Sequence, residues 1–132
     1  MNKIITYEKP QNLDWSRNFL FIAEGENESR YTYSSQRASE HIQISPLTGN
    51  TFLVNQEPNP IPIPSRIQQH INQGVIWNSY MGHGSPLFLA VDGWQIEYLR
   101  NLNKPFFLTT FSCNTGCFAN PTDYARNEQY VN

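Results

Sequence analysis

Four short apolar runs, separated by stretches with helical spacing, restrict this chain more than any other feature. Asn18 to Ala23 reads NFLFIA, Thr51 to Asn55 reads TFLVN, Val75 to Met81 reads VIWNSYM and Phe106 to Ser112 reads FFLTTFS. The first run is apolar throughout, which suits a strand buried on both faces. Between the runs, Ala38 and Ile42 lie four apart over Ser34 to Ile44, with Ser34 or Ser35 as an N-cap and Pro46 and Gly49 beyond the end; this predicts a helix. Ser65 and Gln68 form a capping-box pattern, Ile67 and Ile71 share a face, and Gly74 follows; a helix is predicted over 65–73. Asp92 and Gln95 repeat the capping pattern, and Ile96, Leu99 and Leu102 recur every three residues, with Glu97 and Arg100 on the outside and Asn103 and Pro105 as the stop. The amino-terminal stretch reads as a short apolar entry (Ile4, Ile5, Tyr7) and a loop. The four prolines of NQEPNPIPIP at 55–64 predict extended loop, because proline lacks an N–H and restricts the residue before it. Strands alternating with helices imply an α/β fold with a mainly parallel sheet covered by helices.

The 132 residues allow one domain, and 39% hydrophobic residues allow a packed core. A net charge of −2 argues against nucleic acid as a partner, since binders of nucleic acid carry basic patches. No apolar run approaches the length of about 18 that a transmembrane segment needs. The opening MNKIITYEKP has no apolar core of signal-peptide length. Two cysteines make no disulfide framework and leave the redox compartment open. The chain carries no internal repeat.

In parallel sheets the ligand site lies beyond the carboxyl ends of the strands. Three chemically useful groups are predicted at that edge: Glu24 in the acidic turn EGENE, His83 in the turn GHG, and Cys113 ahead of NTG. A thiolate can attack a carbonyl, and an imidazole beside it can take the thiol proton and return it to a leaving amine. The glycines around His83 allow a sharp turn and close approach of a substrate. Each residue also has a structural reading. Cys113 can be a buried thiol, Glu24 a solvated turn residue with Glu26 and Glu28, and Asp92 a helix cap. Trp77 and Trp94 fit either core or pocket. Cys113 and Cys117 make a CxxxC pair, but structural zinc wants four ligands, and His41 and His70 fall in predicted helices elsewhere. Cys117, next to Phe118, fits packing or a pocket wall. No metal site is expected, and no acidic loop has the spacing of a dedicated calcium site.

YMGHGS at 80–85 followed by PFFLTTFSCNTGCF at 105–118 resembles the catalytic core of the gingipain family of cysteine peptidases, within the caspase-like clan. KIITYEKP, then Trp15, then FIAEGE at 21–26, and HINQGVIWNSYMGHG at 70–84 extend the resemblance over most of the chain. It implies a caspase-like three-layer α/β/α sandwich and a cysteine endopeptidase acting on protein or peptide substrates without a cofactor. By this resemblance His83 is the general base and Cys113 the nucleophile. The backbone N–H groups of Gly84 and Cys113 donate to the oxyanion, Glu24 is the candidate orienting acid, and Trp94 and Cys117 are candidate pocket residues. Relatives are secreted, cell-surface or periplasmic, some with calcium, and one branch is the type IX secretion sortase, a transpeptidase. The family domain has a further α/β part before KIITYE and further elements after the cysteine. Residues 1–132 are therefore expected to be a single partial catalytic domain with an incomplete sandwich, a fragment or truncated member that needs flanking parts. The alternative expectation is a non-catalytic remnant acting as a peptide-binding or structural module.

Overall fold

The computed structural model describes residues 2–8, 14–25, 30–44, 46, 48–56, 65–84 and 99–113. Its elements run α1 (Asn2–Glu8), β1 (Asn18–Glu24), α2 (Arg30–Gln43), β2 (Asn50–Gln56), α3 (Ser65–Gln73), β3 (Trp77–Met81) and β4 (Phe107–Phe111). The strands form a four-stranded sheet in the order β2-β1-β3-β4, and every pairing is parallel. The α/β class and the mainly parallel sheet expected from the alternating pattern are what the chain adopts.

The register explains how one sheet buries two faces. Ile22 pairs with Val54 on one side and with Tyr80 on the other. Side chains alternate along a strand, so Leu20, Ile22, Val54 and Tyr80 share one face. There they form a buried cluster with Ile67 and Ile71 of α3 and with Val75. Phe19, Phe21 and Ala23 point the opposite way, toward α2, and both Phe19 and Ile42 of α2 border Gly49. Burial on both faces is why NFLFIA lacks the polar alternation of a half-exposed strand. The chain moves from β1 to β2 in one direction and from β2 across β1 to β3 in the other. Right-handed crossovers in opposite directions require helices on opposite faces, and α2 and α3 lie on opposite faces.

The amino end of the sheet is tied by Asn18. Its side-chain amide donates to the Gly74 carbonyl at 3.0 Å, and its Oδ1 accepts from Asn50 at 3.0 Å. At the end of α3 the Gly74 N–H donates to the His70 and Ile71 carbonyls, and the Lys104 ammonium donates to the Gln73 carbonyl at 2.9 Å. A cation at a helix carboxyl end is favourable because it meets otherwise unpaired carbonyls.

Several elements depart from the sequence-based expectations. The amino-terminal apolar entry is a short helix whose Ile4 and Ile5 are exposed. α2 begins at Arg30, a full turn before Ser34 and Ser35. Ser35 is fully buried mid-helix instead of capping. Thr32, Ser35, Ser39 and Ile42 are the buried positions of α2, and a stripe of small side chains that lets the helix approach the sheet outweighs serine's capping preference. Strands β3 and β4 are shorter than expected, and Val75 is buried outside β3. The predicted helix through Leu102 is not helical over 99–102. Arg100 donates its backbone N–H to the Asn72 side chain, Lys104 closes a turn on Asn101, and Leu102 is 86% exposed. Its three-residue recurrence was too short to identify a helical face. Asp92, Gln95 and Ile96, and most of the proline-rich loop, lie outside the described residues.

Two stability predictions follow from this packing. Gly74 has φ of +103°, and a Cβ there would sit 2.7 Å from both Trp15 and Lys104 side-chain atoms. Gly74→Ala should lower unfolding free energy by about 1–3 kcal/mol, read as a lower urea midpoint; an unchanged midpoint would contradict the packing described. The second concerns His70, whose ring stacks on Phe52 at 4.3 Å. Burial lowers its pKa, so the unfolded chain takes the proton first as pH falls, and stability drops below pH about 6.5. Urea unfolding at pH 7.5 and 5.0 should show a larger loss in the wild type than in His70→Phe, and equal losses would remove His70 from the pH dependence.

Candidate active site

In an open parallel sheet, the ends of strands whose connections leave in opposite directions leave a crevice between them. Here those strands are β1, which leads to β2, and β3, which leads to β4. Glu24 is the last residue of β1. His83 follows β3 by two residues and Cys113 follows β4 by two residues. Since Met81 pairs with Phe111, His83 and Cys113 each lie two residues beyond the last pair of the β3–β4 ladder. The Gly82 N–H donates to the Phe111 carbonyl at 3.3 Å, at the end of this ladder.

Glu24 is buried at 3% exposure, which corrects the solvated-turn reading for this residue; Glu26 and Glu28 lie outside the described residues. Its Oε2 accepts a hydrogen bond from the backbone N–H of His83. The same oxygen lies 3.1 Å from the Tyr80 hydroxyl, which also donates to the His83 carbonyl at 2.7 Å. Glu24 therefore engages the main chain of His83 in this structure. The His83 imidazole meets the Tyr31 ring of α2 edge-on, with centroids 5.6 Å apart. His83 is exposed, as is the free thiol of Cys113. Burial, and then the charge and hydrogen bond of Glu24, raise the Tyr80 pKa well above that of free tyrosine, so its hydroxyl remains a donor at neutral pH.

Trp77 lies at the amino end of β3, where its Nε1 donates to Thr109. Four residues of strand separate it from Met81, roughly 13 Å at the usual rise per residue, so it does not line this edge. Trp94 and Cys117 lie outside the described residues. Among the described residues no three His, Cys, Asp or Glu side chains converge as metal ligands. His41 is exposed at the end of α2, and His70 packs on Phe52 away from this edge.

Tyr80 and Tyr31 were not singled out in the sequence. A signal existed for Tyr80: a buried tyrosine needs a partner for its hydroxyl, and the acidic strand end was a candidate. Gly82 reads in the sequence as a turn glycine beside His83, and nothing there points to its contact with Tyr80 and Glu24. A Cβ at Gly82 would lie 2.5 Å from the Tyr80 hydroxyl and 2.6 Å from Glu24 Oε2. Gly82→Ala should therefore push Glu24 and Tyr80 apart, destabilise the fold by about 1–3 kcal/mol, and speed hydrogen exchange of the His83 amide. An exchange rate equal to wild type would show that the space is not needed.

The chain matches the family description "Peptidase family C25" over residues 1–132. No curated protein and no solved structure matches it. The parallel sheet with helices on both faces agrees with the caspase-like architecture of that family. The match spans the whole sequence given, and on that basis the chain belongs to peptidase family C25, the gingipain family of cysteine peptidases.

Proposed function

We propose that residues 1–132 carry the nucleophilic centre of a cysteine endopeptidase, with Cys113 as nucleophile and His83 as general base. The observation that supports this most is the register. Two residues chemically suited to form a dyad stand at equivalent positions beyond paired strand ends, and both are exposed to an incoming chain. His83 takes the Cys113 proton, and Sγ attacks the scissile carbonyl carbon. The carbonyl oxygen becomes an oxyanion facing the N–H groups of Gly84 and Cys113. The imidazolium gives its proton to the departing amine, leaving a thioester on Cys113. Water attack, with His83 again as base, releases the acid and restores the thiol. Attack by an amine instead forms a new amide bond, the sortase-like outcome. In this reading Glu24 acts on His83 through its backbone, and Trp94 and Cys117 belong to the substrate pocket.

The substrate class is protein or peptide, as follows from membership of a peptidase family. Secreted or cell-surface placement and a link to type IX secretion belong to the same proposal. No helix among the described residues is long and apolar enough to cross a membrane.

One observation favours the non-catalytic alternative. Among the described residues β4 is one of the two edge strands, and Phe107, Leu108 and Phe111 on it are exposed. Exposed apolar side chains on an edge strand are suited to adding an extended peptide as a further strand. Alkylation by iodoacetamide, mapped by mass spectrometry, separates the two readings. The dyad predicts that Cys113 reacts at least tenfold faster than Cys117, and that His83→Ala slows turnover of a peptide substrate by roughly 10²–10⁴-fold. Equal labelling of the two cysteines, unaffected by His83→Ala, would leave only the binding-module reading.

A further inference from the structure

We propose that Tyr80 is a positioning residue of this site: its hydroxyl, together with the Glu24 carboxylate, holds the main chain of His83 at both its C=O and its N–H and so aims the imidazole. The proposal rests on the reading of His83 as general base. It adds a residue to which neither the family match nor the motif assigns a role.

The argument starts from where Tyr80 is anchored. Its side chain is 1% exposed and belongs to the cluster formed by Leu20, Ile22, Val54, Ile67, Ile71 and Val75. The position of its hydroxyl is thus set by the core, not by the turn it touches. Glu24 is anchored independently, at the end of the doubly buried β1. His83 lies beyond the last paired residue of β3, where no ladder fixes its backbone. The two buried groups replace the ladder. Tyr80 donates to the His83 carbonyl at 2.7 Å, and Glu24 Oε2 accepts from the His83 N–H. Because the same Oε2 is 3.1 Å from the Tyr80 hydroxyl, the single phenol proton lies between two acceptors, and the two anchors also brace each other. Gly82 provides the room, since any Cβ there would occupy the space of this contact. With the backbone held from the core side and the ring met by Tyr31, the imidazole is located from two directions. A phenylalanine would fill the same core volume, so the hydroxyl is the feature that packing alone does not account for.

The test is Tyr80→Phe, read by inactivation of the full chain with a peptidyl chloromethyl ketone. A shift of catalytic geometry of about 1 Å costs up to 10²-fold in rate. The maximal inactivation rate at Cys113 should therefore fall roughly tenfold, while the half-saturating concentration stays within about twofold and the melting temperature is little changed. Glu24→Ala should show the same pattern, and Glu24→Gln should restore much of the rate, because an amide oxygen still accepts from the His83 N–H. If His83→Ala slows inactivation but Tyr80→Phe matches the wild type, the positioning role is overturned and the peptidase reading stands. If rate, saturation and melting all deteriorate together in Tyr80→Phe, the hydroxyl is only structural and the proposal fails. If even His83→Ala leaves the rate unchanged, the dyad reading falls and the proposal with it. Should Tyr80→Phe not fold, proton NMR of the wild type decides. A slowly exchanging Tyr80 hydroxyl proton with a cross-peak to the His83 amide supports the clamp, and its absence overturns it.

Discussion

Burial of β1 on both faces and pairing along both of its edges is the constraint on which the described structure depends. β1 pairs with β2 on one side and β3 on the other, while Leu20, Phe21, Ile22 and Ala23 are all buried. A strand in that position has no solvated face on which to place polar residues. It needs a helix on each side, and the opposite senses of the two crossovers supply one to each. The same strand order sets the site, because the connections from β1 to β2 and from β3 to β4 diverge and leave the carboxyl ends of β1 and β3 open between them. Core formation and site placement are therefore consequences of one strand order.

The carboxylate at the end of β1 shows how closely the two are joined. Glu24 continues the inward-facing positions of Leu20 and Ile22 and is as buried as its neighbours. A buried carboxylate needs hydrogen-bond partners, and it finds the His83 N–H and the Tyr80 hydroxyl. The turn that carries the imidazole is thus held by polar groups belonging to the core. The thiol side differs. Cys113 is exposed beyond the edge strand β4, whose Phe107 and Phe111 are also exposed.

Much of the architecture was legible in the sequence because its signals are local. NFLFIA fits a strand covered on both sides, and Ser65, Gln68, Ile67, Ile71 and Gly74 mark both ends and one face of α3. The misread elements are those where packing overrides local preference. Ser34 and Ser35 resemble a cap, yet Ser35 lies on the helix face turned to the sheet. Leu99 and Leu102 suggested a helix face, but the backbone there turns on Asn72, Asn101 and Lys104, partners drawn from distant or short-range contacts that no periodicity reveals. That His83 and Cys113 follow the ends of two strands was legible from the apolar runs that precede them. The role of Tyr80 and the closeness of Gly82 to it were not, since both depend on contacts with Glu24, more than fifty positions away.

By itself the sequence determined the α/β class, the parallel sheet and the residues that stand at its carboxyl edge. Those follow from the length and polarity of each segment, and strand direction follows from the intervening helices. Only the tertiary structure decided the strand order, the register that sets His83 and Cys113 at matching positions, and the partners of Glu24. Register is fixed by which buried side chains interlock across β1, and a carboxylate's partner is fixed by which donors the folded chain brings within about 3 Å. Both are properties of residues far apart in the chain, and they exist only once it has folded.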